Sequence, residues 1–170
     1  MGYGPVEELE VYRMAERAAD RIYELLRSWP PFDKNTTGEQ LVRAADSIGA
    51  NIAEGYGRFH FGDQLRFFYF ARGSLFETKY WLCRAERRSL LDKEVCENAA
   101  RYLDTMRQKL NALIRDRRNR REGGSKTSTD TLAENPVSYA ALPTERLEDD
   151  EWLDSFWYTL DQNTTIEEPF

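Results

Sequence analysis

Across roughly the first 120 positions, apolar residues recur three and four apart in four successive segments, the repeat that gathers them on one side of an α-helix. In the first, from about residue 6 to 28, the stripe is Val11, Ala15, Ala18, Ile22, Leu25 and Trp29. Trp29-Pro30-Pro31 closes it, because proline lacks an amide hydrogen and disfavours helix in the residue before it. Asp33, Asn35 and Thr36 then read as a turn. The second segment runs from Thr37 to Gly57 with Leu41, Ala45, Ile48 and Ile52 as its stripe, and Thr37 and Gln40 have capping-box spacing. After His60-Phe61-Gly62, Asp63 is placed to cap a third helix that reaches Arg88. The fourth runs from Lys93 to Arg121 on Val95, Ala99, Tyr102, Met106, Leu110 and Leu113. Each segment has one face to bury and the links between them are short, so neighbours are expected to pack antiparallel. The expected fold is all-α: an antiparallel up-down four-helix bundle over residues 1–122, then a linker and an acidic, mostly irregular C-terminal tail over 123–170.

The third segment departs from a single stripe. Leu65, Phe68, Leu75, Phe76, Leu82 and Cys83 read as one side, and Phe67, Phe70 and Trp81 as another. A helix apolar on more than one face is buried more than once, which points to self-association. Gly49, Gly55 and Gly57 each weaken the second helix by about 1 kcal/mol relative to alanine, so a close helix crossing is expected there.

Several classes of function are disfavoured. No apolar run approaches the ~18 residues of a membrane span, and the acidic start, Met1 to Glu10, does not resemble a signal peptide. A cytoplasmic protein is therefore expected. Cys83 and Cys96 are the only cysteines and His60 the only histidine, too few for a closed zinc site; Cys83 reads as a small core residue. No metal, cofactor or catalytic residue is assigned.

Arg43, Ser47, Asn51, Glu54 and Arg58 form a polar row on the second helix, and Arg72, Ser74 and Glu77 a second set on the third. The row reads as a solvated face, as a hydrogen-bonded network fixing register or a subunit contact, or, most weakly, as a catalytic site in which Glu54 pairs with Glu77. Arg115, Arg117, Arg118, Arg120 and Arg121 end the fourth helix. They suit phosphate contacts, or simply the helix C-terminal dipole and solubility. Net charge divides the chain: +4 over residues 1–126 and −10 over 127–170. Glu148 to Leu160 sets acids among Trp152, Leu153, Phe156 and Trp157, a composition suited to docking on an apolar groove or another protein. An acidic tail on a basic body would also compete with nucleic acid.

The stretch Gln40 to Ile48, then Asn51-Ile52-Ala53-Glu54-Gly55-Tyr56-Gly57-Arg58, then Phe67 with Ala71-Arg72-Gly73-Ser74-Leu75 and Glu77, resembles the bacterial four-helix bundle proteins. These comprise proteins encoded in intervening sequences of large-subunit ribosomal RNA genes and accessory variability determinants of diversity-generating retroelements. Leu9, Val11, Tyr12, Ala15, Ile22, Tyr23 and Pro30 extend the likeness, which spans about 6 to 115. The resemblance implies a homopentameric, non-enzymatic bundle; in the retroelement relatives it engages RNA or DNA and a reverse transcriptase. Its motif or interface positions here are Arg43, Ser47, Asn51, Glu54, Gly55, Gly57, Arg58, Arg72, Gly73, Ser74 and Glu77. It departs at Gly49, where the family often has proline, and says nothing of the tail beyond Arg121. The alternative function is a protein–protein scaffold or adaptor, with the tail as ligand.

Overall fold

A computed structural model describes residues 5–124. A 3₁₀ turn, Pro5–Glu8, leads into α1, Glu10–Leu26. A helical turn at Pro31–Asp33 passes through a π turn, Lys34–Gly38, into α2, Glu39–Tyr56. Then follow α3, Phe61–Arg87, and α4, Lys93–Gly124. The described residues are all-helical, as the periodicity requires.

Cross-helix contacts fix the direction of each neighbour. Gly38 faces Leu26 while Gly49 faces Ala15, so α2 runs back along α1. Thr37 takes a hydrogen bond from the Arg88 guanidinium at one end, and Gly55 meets Phe67 and Phe68 at the other, so α3 reverses α2. Tyr102 Oη donates to Met14 O at 3.1 Å and Lys109 Nζ lies 2.9 Å from Glu10, so α4 runs back along α1. The up-down bundle closes around Leu41, Ile48, Ile52, Phe68, Leu75, Leu82, Leu103, Met106 and Leu110, all essentially inaccessible.

Four local expectations are corrected. Asp33, Asn35 and Thr36 do not form an open turn. Pro30 is extended, with ψ of 148°, and Pro31 sits in the first turn of the helical segment that feeds α2, where a missing amide costs nothing. Thr37 caps nothing: it is buried and spends its hydroxyl on Arg88. Asp63 lies inside α3, whose first residue is Phe61. Phe76 and Cys83 are exposed, whereas Ala71, Thr78 and Ala85 join Leu65, Phe68, Leu75 and Leu82 in the core. Phe76 and Cys83 each follow a buried position by one residue, which turns them about 100° away.

Of Gly49 and Gly55 within α2 and Gly57 at its C-cap, only Gly55 marks a close crossing. A Cβ there would lie 2.8 Å from Phe68 Cε1 and 3.0 Å from Phe67 Cβ. At Gly49 the nearest neighbour of a Cβ is Ala15 at 3.6 Å, an ordinary contact. The α3–α4 link turns at Ser89, whose φ is 56°. Leu90 N–H donates to Ala85 O and Ser89 N–H to Glu86 O, the paired bonds that close a helix whose next residue is left-handed.

Asp104 ties α4 to α3 by accepting from Lys79 Nζ at 2.8 Å, with Arg107 Nε at 3.2 Å. The bond from Lys79 outweighs desolvation and holds the Asp104 carboxyl below its ordinary value. A carboxyl depressed in the folded state stabilises above its unfolded pKa of 3.8, and that contribution is lost as pH falls through the lower folded value. Both side chains are partly solvated, so Asp104→Asn should cost only about 0.5 kcal/mol at pH 7. Urea unfolding at pH 7 and pH 3 should show that difference shrinking with acid.

Candidate assembly and nucleic-acid surfaces

Within the polar row that runs from α2 to Arg58, three contacts reach four residues back along the chain. Ser47 Oγ donates to Arg43 O at 2.6 Å, Asn51 Nδ2 to Ser47 O at 2.7 Å, and Arg58 pairs with Glu54. Its α3 counterparts are equally local. Arg72 lies 5.2 Å from the Tyr69 ring centre, Thr78 Oγ1 donates to Ser74 O, and Trp81 Nε1 reaches Glu77 at 3.5 Å. Glu54 and Glu77 do not form a carboxylate pair. Gly55 is opposite Phe67 and Phe68, so Glu77 lies about eight residues further along α3, some ~12 Å along the axis.

On its solvent side α3 carries a second series at the same spacing: Tyr69, Gly73, Phe76, Tyr80 and Cys83. Tyr69, Phe76 and Tyr80 are 41%, 54% and 56% exposed, and Phe70 beside them 52%. Gly73 sits among them in mid-helix, and a Cβ there would meet nothing within 4 Å. Steps of four and three residues make this a seam of the kind one helix presents to another. This is not the second face expected from Phe67, Phe70 and Trp81: Phe67 and Trp81 are half-buried, and the exposed series instead includes Phe76 and Cys83, which spacing places on the buried side.

The arginine run is split by α4. Arg115, Arg118, Arg120 and Arg121 are exposed, with Arg120 Nε 3.0 Å from Asp116 and Arg118 Nε 4.0 Å from Glu122. Arg117 is only 4% exposed and leaves the set of surface phosphate contacts. It follows Leu113 by four residues and so occupies the next position of the buried stripe. Trp152, Leu153, Phe156 and Trp157 lie outside the described residues.

A cleft of about 550 Å³ between α1 and α2 had no counterpart in the sequence reading. Ala15, Ala19, Gly49 and Ala50 make room for it, and Arg13, Arg17, Asp20 and Asp46 line it. Desolvation, then Asp20, raises the Asp46 carboxyl above its ordinary value. The Cys96 thiol is pushed up to about 11 by burial and then by neighbouring Cys83, which leaves it unreactive. Among the described residues no group of three or more His, Cys, Asp or Glu side chains could hold a metal, and no helix is long and apolar enough to cross a membrane.

Fold and surfaces together define an all-α four-helix bundle protein whose described candidate residues, apart from the buried Gly55 and Arg117, lie on helix surfaces and at one helix end. Residues 7–112 match the family described as 23S rRNA-intervening sequence protein, and the chain belongs to that family. It is also similar to a solved structure from Bacteroides thetaiotaomicron, a protein of the S23 ribosomal protein family whose function is unknown. The two share 25% identity and a TM-score of 0.56, over 62% of this chain and 95% of the other. No curated protein matches the chain.

Proposed function

We propose that this chain is a non-enzymatic accessory protein that assembles into a ring, of five subunits as its resemblance implies, and binds nucleic acid in a ribonucleoprotein setting. The observation that carries the reading is the cluster of exposed guanidiniums, Arg115, Arg118, Arg120 and Arg121, at one end of α4. One chain's cluster is modest, but a ring would repeat it around an axis and multiply its attraction for phosphates. The α3 seam is the surface through which the ring would close. Resemblance to the retroelement accessory proteins makes a reverse transcriptase the corresponding protein partner.

Fluorescence polarisation of a labelled RNA with the full chain at rising salt tests the nucleic-acid part. The logarithm of affinity should fall linearly with the logarithm of salt concentration. Changing Arg118, Arg120 and Arg121 together to alanine should lower affinity alike for all sequences and flatten the slope by about 2–3. Absence of binding even at low salt would overturn the proposal.

A further inference from the structure

We infer that the turn from Arg58 to Phe61 and the arginine end of α4 form one platform for an unpaired RNA strand, its bases stacking on exposed phenylalanine rings and its phosphates meeting guanidiniums. The inference rests on the nucleic-acid reading above and adds to it the kind of strand.

Antiparallel packing brings the two features to the same end of the bundle. Lys79 of α3 is bonded to Asp104 of α4. Counting outward from that pair, the start of α3 is level with the arginine run of α4. Phe59 is 85% exposed and Phe61 37%. Phe59 meets His60 edge-on at 5.2 Å between ring centres, and Arg58 lies 4.9 Å from the centre of the Phe67 ring.

The turn is held in place rather than loose. Gln64 Nε2 donates to Arg58 O at 2.7 Å, Gln64 N–H to His60 O at 3.0 Å, and Arg58 N–H to Gly55 O at 3.2 Å. Rings offered on a fixed backbone lose little freedom when a ligand stacks on them. A single exposed ring needs no explanation. Two rings on a braced turn, with cations beside them and an arginine run at the same end, match what an unpaired polyanion requires. A duplex would satisfy the arginines, but its base faces are already stacked, so it would leave the rings unused.

The test uses the full chain with labelled oligouridylate of about 15 nucleotides and an RNA duplex of the same length. The single strand should bind about tenfold or more tightly, and Phe59→Ala with Phe61→Ala should weaken it about tenfold. Salt slope and duplex affinity should not change in that variant, and Phe59→Trp should retain binding. Both rings are outside the core, and an unchanged thermal melt would show the variant folded. Equal binding of both probes, with no effect of the phenylalanine changes, would overturn stacking while leaving nucleic-acid binding intact. If neither probe binds at low salt, the underlying reading falls and this inference with it. If the phenylalanine variant instead alters the mass of the assembly, the rings serve a contact between copies and the inference is overturned.

Discussion

Phe68→Ala is expected to destabilise the bundle by about 3–5 kcal/mol, a large share of the ~5–15 kcal/mol of a typical domain. Phe68 is inaccessible, and its ring fills the crossing where α2 passes closest to α3 at Gly55. Removing the ring loses its burial and leaves a cavity that two helices, pinned at their far ends by Arg88 and Thr37, close only partly. Gly55→Ala attacks the same crossing from the other side. Its new methyl would lie 2.8 Å from the ring and 3.0 Å from Phe67 Cβ, which moves only with the α3 backbone. Overpacking of about 1–3 kcal/mol should outweigh the ~1 kcal/mol that alanine gains as a helix former. With Phe68 already shortened the contact with its ring is gone and only the 3.0 Å approach to Phe67 Cβ remains, so Gly55→Ala should cost clearly less than it does alone. Urea unfolding of the single and double variants measures that coupling. Simple additivity would show that the crossing is not set by this pair.

The second large effect is expected on the outer seam of α3. Phe76→Asp with Tyr80→Asp replaces two half-exposed rings by charges, so the isolated bundle should unfold at nearly the same urea concentration as before. In an assembly that closes over the seam, the same carboxylates would be buried without partners, and association should weaken at least about 100-fold. Gly73→Ala separates the two levels more sharply. Nothing lies within 4 Å of the new methyl in one chain, so the helix should gain about 1 kcal/mol. A partner helix approaching over Gly73 would meet that methyl, so assembly should weaken while the subunit is strengthened. Sedimentation velocity combined with urea unfolding reads both quantities. A stronger subunit with unchanged association would place the interface elsewhere.

Much of the bundle is legible in the sequence because burial follows period. Leu41, Ala45, Ile48 and Ile52, or Met106, Leu110 and Leu113, fall on the core face that their spacing predicts. The third helix was harder for a physical reason. Phe67, Phe70, Phe76, Tyr80 and Trp81 put aromatic rings on most sides of it, so spacing shows more than one apolar face but does not decide which residues the same chain covers. Arg117 was missed for the opposite reason: its position matched the stripe, but its charge suggested the surface. Gly55 was read correctly as a close approach, while Gly49 and Gly57, alike in sequence, have no such neighbour. The cleft between α1 and α2 could not be anticipated, since it depends on how alanines from two helices happen to face each other.

The claim that this bundle acts as an assembly is tested most directly by the native mass of the full chain at micromolar concentration. The expected result is a closed oligomer of about five times the 19.9 kDa chain, reduced to the single-chain mass by Phe76→Asp with Tyr80→Asp. A wild-type chain that stays at 19.9 kDa at every concentration tried would contradict it.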